Sequence, residues 1–181
     1  MTPTRLPHRI VHALAILALS AGAALAQAQA LIADYGSSVA VENASELPDP
    51  TLDYKLVLSV TERWPEDEPA FGLDTAATLL NLLAQSGVPA EHRHIVLVLH
   101  GDATLSVLNE TGLKAHDMDA NPSAPLIAKL VAAGVSIRVC GQAMAAAGIT
   151  RSEVLPEVQV DLSAITTLAT LQMRGYGLLP E

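Results

Sequence analysis

Short apolar runs alternate along this chain with segments of helical spacing, and that alternation restricts the fold more than any other feature. Residues 54–60, 94–100 and 135–140 are each shorter than a helix of ordinary length and rich in Val, Ile and Leu, and the last two stop at Gly101 and Gly141. The run His94-Ile95-Val96-Leu97-Val98-Leu99-His100 is apolar at successive rather than alternate positions. That is the pattern of a strand in a parallel sheet covered on both faces.

The intervening segments have a different period. Leu73, Ala76, Ala77, Leu79, Leu80 and Leu83 recur at helical spacing and predict a helix over 72–85, stopped by Gly87. A second helix is predicted over 125–133, with Leu126, Ile127, Leu130 and Val131 on one face and Gly134 at its end. Residues 103–109 form a weaker helical stretch, followed by a loop through Thr111-Gly112 and His116-Asp117-Met118-Asp119. A short alanine-rich helix follows Cys140, residues 158–161 read as a fourth strand, Ser163 caps a helix over 164–173, and 176–179 form a last short strand. Strands that alternate with helices imply right-handed crossovers and a parallel or mostly parallel sheet, a three-layer α/β domain.

The first 26 residues stand apart from this pattern. Arg5 and Arg9 precede an apolar run rich in Ala and Leu, which ends at Ala24-Leu25-Ala26. These are the three regions of a secretory signal peptide, and the apolar run is shorter than the roughly 20 residues a spanning helix needs. Cleavage after Ala26 is expected, with Ala28 and Ala30 as rival sites, and the mature chain is expected in the periplasm with no remaining membrane segment. Residues 27–53 are polar, contain Gly36-Ser37-Ser38 and Pro48-Asp49-Pro50, and read as an extended arm before a domain at 54–181. A domain of that size can bury its own core.

Charge and cysteine count remove several functions. The formal net charge is −9, and losing Arg5 and Arg9 makes it more negative still. Such a surface repels phosphate backbones, and the few aromatic residues offer no platform for stacking bases, so nucleic acid is not expected as a partner. Neither a phosphate-cradling glycine loop nor a serine-hydrolase elbow occurs, and no cofactor is implied. Cys140 is the only cysteine. It cannot form a disulfide within the chain, and multi-cysteine zinc sites are excluded. His92 and His94 flank Arg93 and His116 stands near Asp119, but a two-residue histidine spacing without a third ligand is a weak signal, so no metal is expected.

In a parallel sheet, ligands bind at the carboxyl ends of the strands. That edge collects the Thr61-Glu62-Arg63 segment, His100-Gly101 and Cys140-Gly141. Cys140 ends its strand and directly precedes a helix, whose free amides and positive end can stabilise a thiolate. The alternative is a buried cysteine that packs as a small hydrophobe. His100 stands where a general acid or base, or a thiolate partner, would be useful. Arg138, two residues before Cys140, points to the same face and would add positive potential if it reached the edge.

Several separated motifs, in this order, resemble the DsrE/DsrF-like family: Val98-Leu99-His100-Gly101, Asn121-Pro122, Ile137-Arg138-Val139-Cys140-Gly141-Gln142, Gly148-Ile149 and Leu171-Gln172-Met173-Arg174-Gly175-Tyr176. The resemblance implies an α/β/α domain with a five-stranded parallel sheet, assembled as a trimer or hexamer of identical chains. It implies a persulfide carried on Cys140, with His100 assisting and Gly101, Asn121, Gly141 and Gln142 around the site. A thiol-bearing protein or a small thiol would then exchange the sulfur, because the chain has no second cysteine to do so. A non-catalytic oligomeric module that binds a small molecule or protein, with a structural Cys140, is the alternative.

Overall fold

A computed structural model describes residues 30–63 and 67–179. The leader expected at 1–26 and the loop residues Trp64, Pro65 and Glu66 lie outside the described residues. Five strands form one sheet: β1 (Tyr54–Val60), β2 (Arg93–Leu99), β3 (Ser136–Cys140), β4 (Gln159–Asp161) and β5 (Gly177–Leu179). Their order across the sheet is β4-β3-β2-β1-β5, and every pairing is parallel. Helices α1 (Phe71–Gln85), α2 (Glu110–Ala115), α3 (Ala124–Ala132), α4 (Gly141–Ala147) and α5 (Ala164–Met173) complete the domain.

The strands bury both faces because helices cover both. Leu58, Val60, Ile95, Leu97, Leu99, Ile137 and Val139 turn to the face under α1 and α3, and there they meet Leu73, Leu80, Leu126 and Leu130 in the larger core. The residues in between, Val57, Val96, Val98 and Cys140, turn the other way against Ala164 and Leu171 of α5. The two-residue alternation of a strand thus sorts one continuous apolar sequence into two cores. α1 and α3 end before Gly87 and Gly134, where Val88 and Val135 donate amide hydrogen bonds back to Leu83 and Leu130.

The expected parallel sheet is borne out, with every strand pairing in it parallel. Two expectations are corrected. Residues 101–107 form a 3₁₀ helix rather than an α-helical stretch, and the loop expected through Thr111-Gly112 is α2. Asn109 starts α2 by accepting the amides of Thr111 and Gly112 at 2.9 and 3.0 Å.

The segment before β1 contains no helix or strand among residues 30–53, yet its start is docked rather than free. Ile32 is buried in the larger core. Asn81, itself buried on α1, accepts the Ile32 amide at 2.8 Å and donates to the carbonyls of Ile32, Tyr35 and Gly36. Lys129 of α3 holds the same turn through Ala33 and Asp34. No helix among the described residues is long and apolar enough to cross a membrane.

Candidate functional site

The sheet register decides what stands beside Cys140. Leu99 pairs with Val139, so His100, the first residue past β2, and Cys140, the last of β3, lie at the same edge of the sheet. Alternation puts both on the face that α5 covers. On the other side Cys140 pairs with Asp161, and two residues after Asp161 the chain reaches Ser163 and the first turn of α5. One sulfur therefore lies at the start of α4, which follows it in sequence, and at the start of α5, which the β3–β4 pairing brings to it.

Cys140 is only 5% exposed. It occupies the N-cap position of α4, and its Sγ accepts the Ala143 amide at 3.4 Å. Burial pushes the thiol up, because a charged sulfur loses solvation there. The amides of Ala164, Ala143 and Gln142 and the hydroxyl of Ser163 act the other way, and together they hold the thiol below its ordinary value. Ser163 was expected to cap α5. It holds the N-cap position, but its side chain makes no capping hydrogen bond and is directed to the thiol instead.

Gly141 and Gln142 contribute through the backbone. A Cβ on Gly141 would lie 2.8 Å from the Asp161 carbonyl oxygen and 3.6 Å from a Val160 methyl, so β4 can approach this closely only past a glycine. The Gln142 side chain is exposed while its amide serves the sulfur. Gly101 has φ +56 and turns the chain from β2 into the 3₁₀ helix. There the His100 and Ala103 amides bind the carbonyls of Val60 and Thr61 and join the ends of β1 and β2.

His100 is half-buried, and its Nε2 is 2.8 Å from Ser59 Oγ. The structure brings His100 to the edge and face of Cys140, while the groups acting on the sulfur are amides and the Ser163 hydroxyl. Arg138 is paired with Asp161 rather than acting on the thiol. Its Nη1 lies 3.4 Å from Asp161 Oδ2 and its Nε donates to Ser136 Oγ, while Thr167 donates to the same Asp161 oxygen at 2.7 Å. The positive potential at the thiol comes from helix starts, not from a guanidinium.

Asn121 belongs elsewhere. Its amide nitrogen donates to the carbonyls of Ser106 and Leu108, its oxygen accepts the Ser123 amide, and it lines a cavity of about 380 Å³ whose walls do not include Cys140. At the opposite edge of the sheet, His92 and His94 stand 4.0 and 3.8 Å from Asp53. Among the described residues, no group of three His, Cys, Asp or Glu side chains is arranged to hold a metal ion.

The DsrE/DsrF-like family matches residues 55–180, from the second residue of β1 to just past β5. The chain belongs to the DsrE/DsrF-like family. A solved structure repeats the fold: a protein of unknown function, MTH1491, from Methanobacterium thermoautotrophicum is 18% identical, with a TM-score of 0.53 over 71% of this chain and 100% of that one. The YchN protein of E. coli is 16% identical, with a TM-score of 0.49 over 70% and 98% of the two chains. No curated protein matches. In this DsrE/DsrF-like domain, Ser163 and Ala164 are the members of the thiol site that sequence reasoning missed, since only strand pairing places them beside Cys140.

Proposed function

We propose that this DsrE/DsrF-like protein is an exported sulfur carrier, in which Cys140 takes up a sulfane sulfur as a persulfide and passes it to another thiol. The observation that carries this reading is the meeting of two helix starts at one sulfur, which favours the thiolate despite burial. Membership of a family of sulfur-relay type supports it. In the loading step, the Cys140 thiolate attacks the outer sulfur of a donor persulfide. A new S–S bond forms, the donor's S–S bond breaks, and the donor leaves as a thiolate with the bonding electron pair. In the unloading step, an acceptor thiolate attacks the outer sulfur on Cys140, takes it, and restores the Cys140 thiolate. No net oxidation occurs in either step. His100, at the end of the adjacent strand, is the group suited to protonate the departing thiolate.

With no second cysteine in the chain, donor and acceptor are other molecules. Leu162 and Ile165, 74% and 80% exposed, flank Ser163 and Ala164 and form an apolar rim beside the site, which suits a protein partner better than a small ion. One observation favours a second reading: Cys140 is buried among Val57, Val96 and Val98, as in a binding module whose cysteine only packs.

Mass spectrometry after incubation with a polysulfide separates the two. The carrier gains the mass of one or more sulfur atoms on Cys140, and Cys140→Ser gains none. A native protein that takes up no sulfur contradicts the carrier. Export has its own test, N-terminal sequencing of material from the periplasm, with a first residue expected between Gln27 and Leu31. An intact Met1 in the membrane fraction contradicts export.

A further inference from the structure

The cavity lined by Asn121 has no part in the thiol chemistry, and its lining is specific. It opens at the carboxyl ends of β1 and β2 on the side of the larger core, between Arg63, the 3₁₀ helix and the loop before α3. Arg63 is half-buried there. Its Nη1 rests 3.5 Å from the Met118 thioether, a weak acceptor, and no carboxylate among the described residues pairs with it. A guanidinium held in a cavity with most of its donors unused is prepared for an anionic group with two oxygens. Ser106, also in the lining, is 3% exposed, and its hydroxyl has no partner among the described residues. A buried hydroxyl without a partner costs stability unless something else satisfies it.

The mouth carries the opposite sign. Asp67, Glu68, Asp117 and Asp119 line it, all exposed and none in an ion pair among the described residues. A simple anion that reached Arg63 would lie within the field of these carboxylates, and a simple cation at the carboxylates would be repelled by Arg63. Only a ligand that carries both signs gains at both places. Leu105, Met118 and Pro122 give the wall between them an apolar stretch. A volume of about 380 Å³ is at the small end for ligand sites.

We infer that this cavity binds a small zwitterion of amino-acid type, its carboxylate on Arg63 and the Ser106 hydroxyl, its ammonium toward Asp117 and Asp119, and its aliphatic part against Met118. The site is independent of Cys140 and stands whether or not the protein carries sulfur.

Calorimetry on the full domain with three matched probes tests it: L-norleucine, n-pentylamine, which lacks the carboxylate, and hexanoate, which lacks the ammonium. Norleucine is expected to bind at least about tenfold more tightly than either, since each missing end forfeits a charge-assisted contact. Arg63→Gln reduces norleucine to the level of pentylamine, and the double variant Asp117→Asn, Asp119→Asn reduces it to the level of hexanoate. The comparison of the three probes on the unaltered protein needs no variant. Pentylamine or hexanoate binding as tightly as norleucine overturns the zwitterion, and no saturable binding of any probe at millimolar concentration overturns the site.

Discussion

Leu97→Ala is expected to lower the free energy of unfolding by about 2–5 kcal/mol, because it removes a large side chain from a site that cannot close over the space. Leu97 is fully buried and sits on β2, the middle strand in the order β4-β3-β2-β1-β5, paired with Leu58 and Ile137 on its two sides. Its side chain lies in the larger core with the buried residues of α1 and α3. Strand pairing fixes the backbone on both sides, so the sheet cannot relax into the cavity. Urea unfolding followed by circular dichroism reads the change. A loss below about 1 kcal/mol, the range of a volume-conserving swap, would contradict the placement of Leu97 at the centre of that core.

Gly141→Val changes stability and chemistry together. The new Cβ would meet the Asp161 carbonyl oxygen at 2.8 Å. Because that oxygen belongs to the backbone of β4, the strand itself has to move, at a cost of about 1–3 kcal/mol. As β4 withdraws it takes Ser163 and Ala164 with it, so the thiol loses the α5 donors and keeps only those of α4. The expected result is a less stable domain in which Cys140 alkylates with a higher apparent pKa. Gly148→Ala is the matched comparison. Gly148 ends α4 at φ +72 with no atom close to a new Cβ, so the change strains the backbone but leaves β4 in place. A higher apparent pKa in Gly148→Ala as well would mean that β4 does not govern the thiol.

The outline of this fold is written locally, and so it was legible. The continuous apolar run of β2 implied a sheet covered on both faces, and the helical spacing before Gly87 and Gly134 implied the helices that cover one of them. Cys140 could be placed at a strand end before a helix, and half of its electrostatic environment follows from that alone. The other half depends on which strands are neighbours. Ser163 reads as an ordinary helix cap until β4 is known to lie beside β3, and then it belongs to the thiol. Arg138 misled for the same reason, since alternation gave its face correctly but could not show that Asp161, on the next strand, would take its charge.

Two further misses have local causes. The signal for α2 was the Asn109 side chain folding back onto two amides, which composition does not distinguish from a turn around Gly112. The docking of residues 31–36 was hidden because a mostly polar stretch is held by one buried apolar side chain, Ile32, and by hydrogen bonds with Asn81, Asp74 and Lys129 rather than by an apolar pattern. The zwitterion cavity draws Arg63, Ser106 and the stretch from Asp117 to Asn121 from three separate places in the sequence, and no motif joins them.

Sulfur transfer at Cys140 depends on the acidity of that one thiol, and the pH dependence of Cys140 alkylation in the native protein tests it most directly. Burial slows alkylation at every pH by a common factor, so the midpoint of the rate profile is the quantity to read. A thiol with a lowered pKa is already ionised at a pH where a free cysteine, near 8.5, is still protonated. The native midpoint is therefore expected below that of the same chain unfolded in denaturant, and Ser163→Ala, which removes one donor, should move it upward. A native midpoint at or above the unfolded value, or a thiol that resists alkylation until the protein unfolds, would contradict the account.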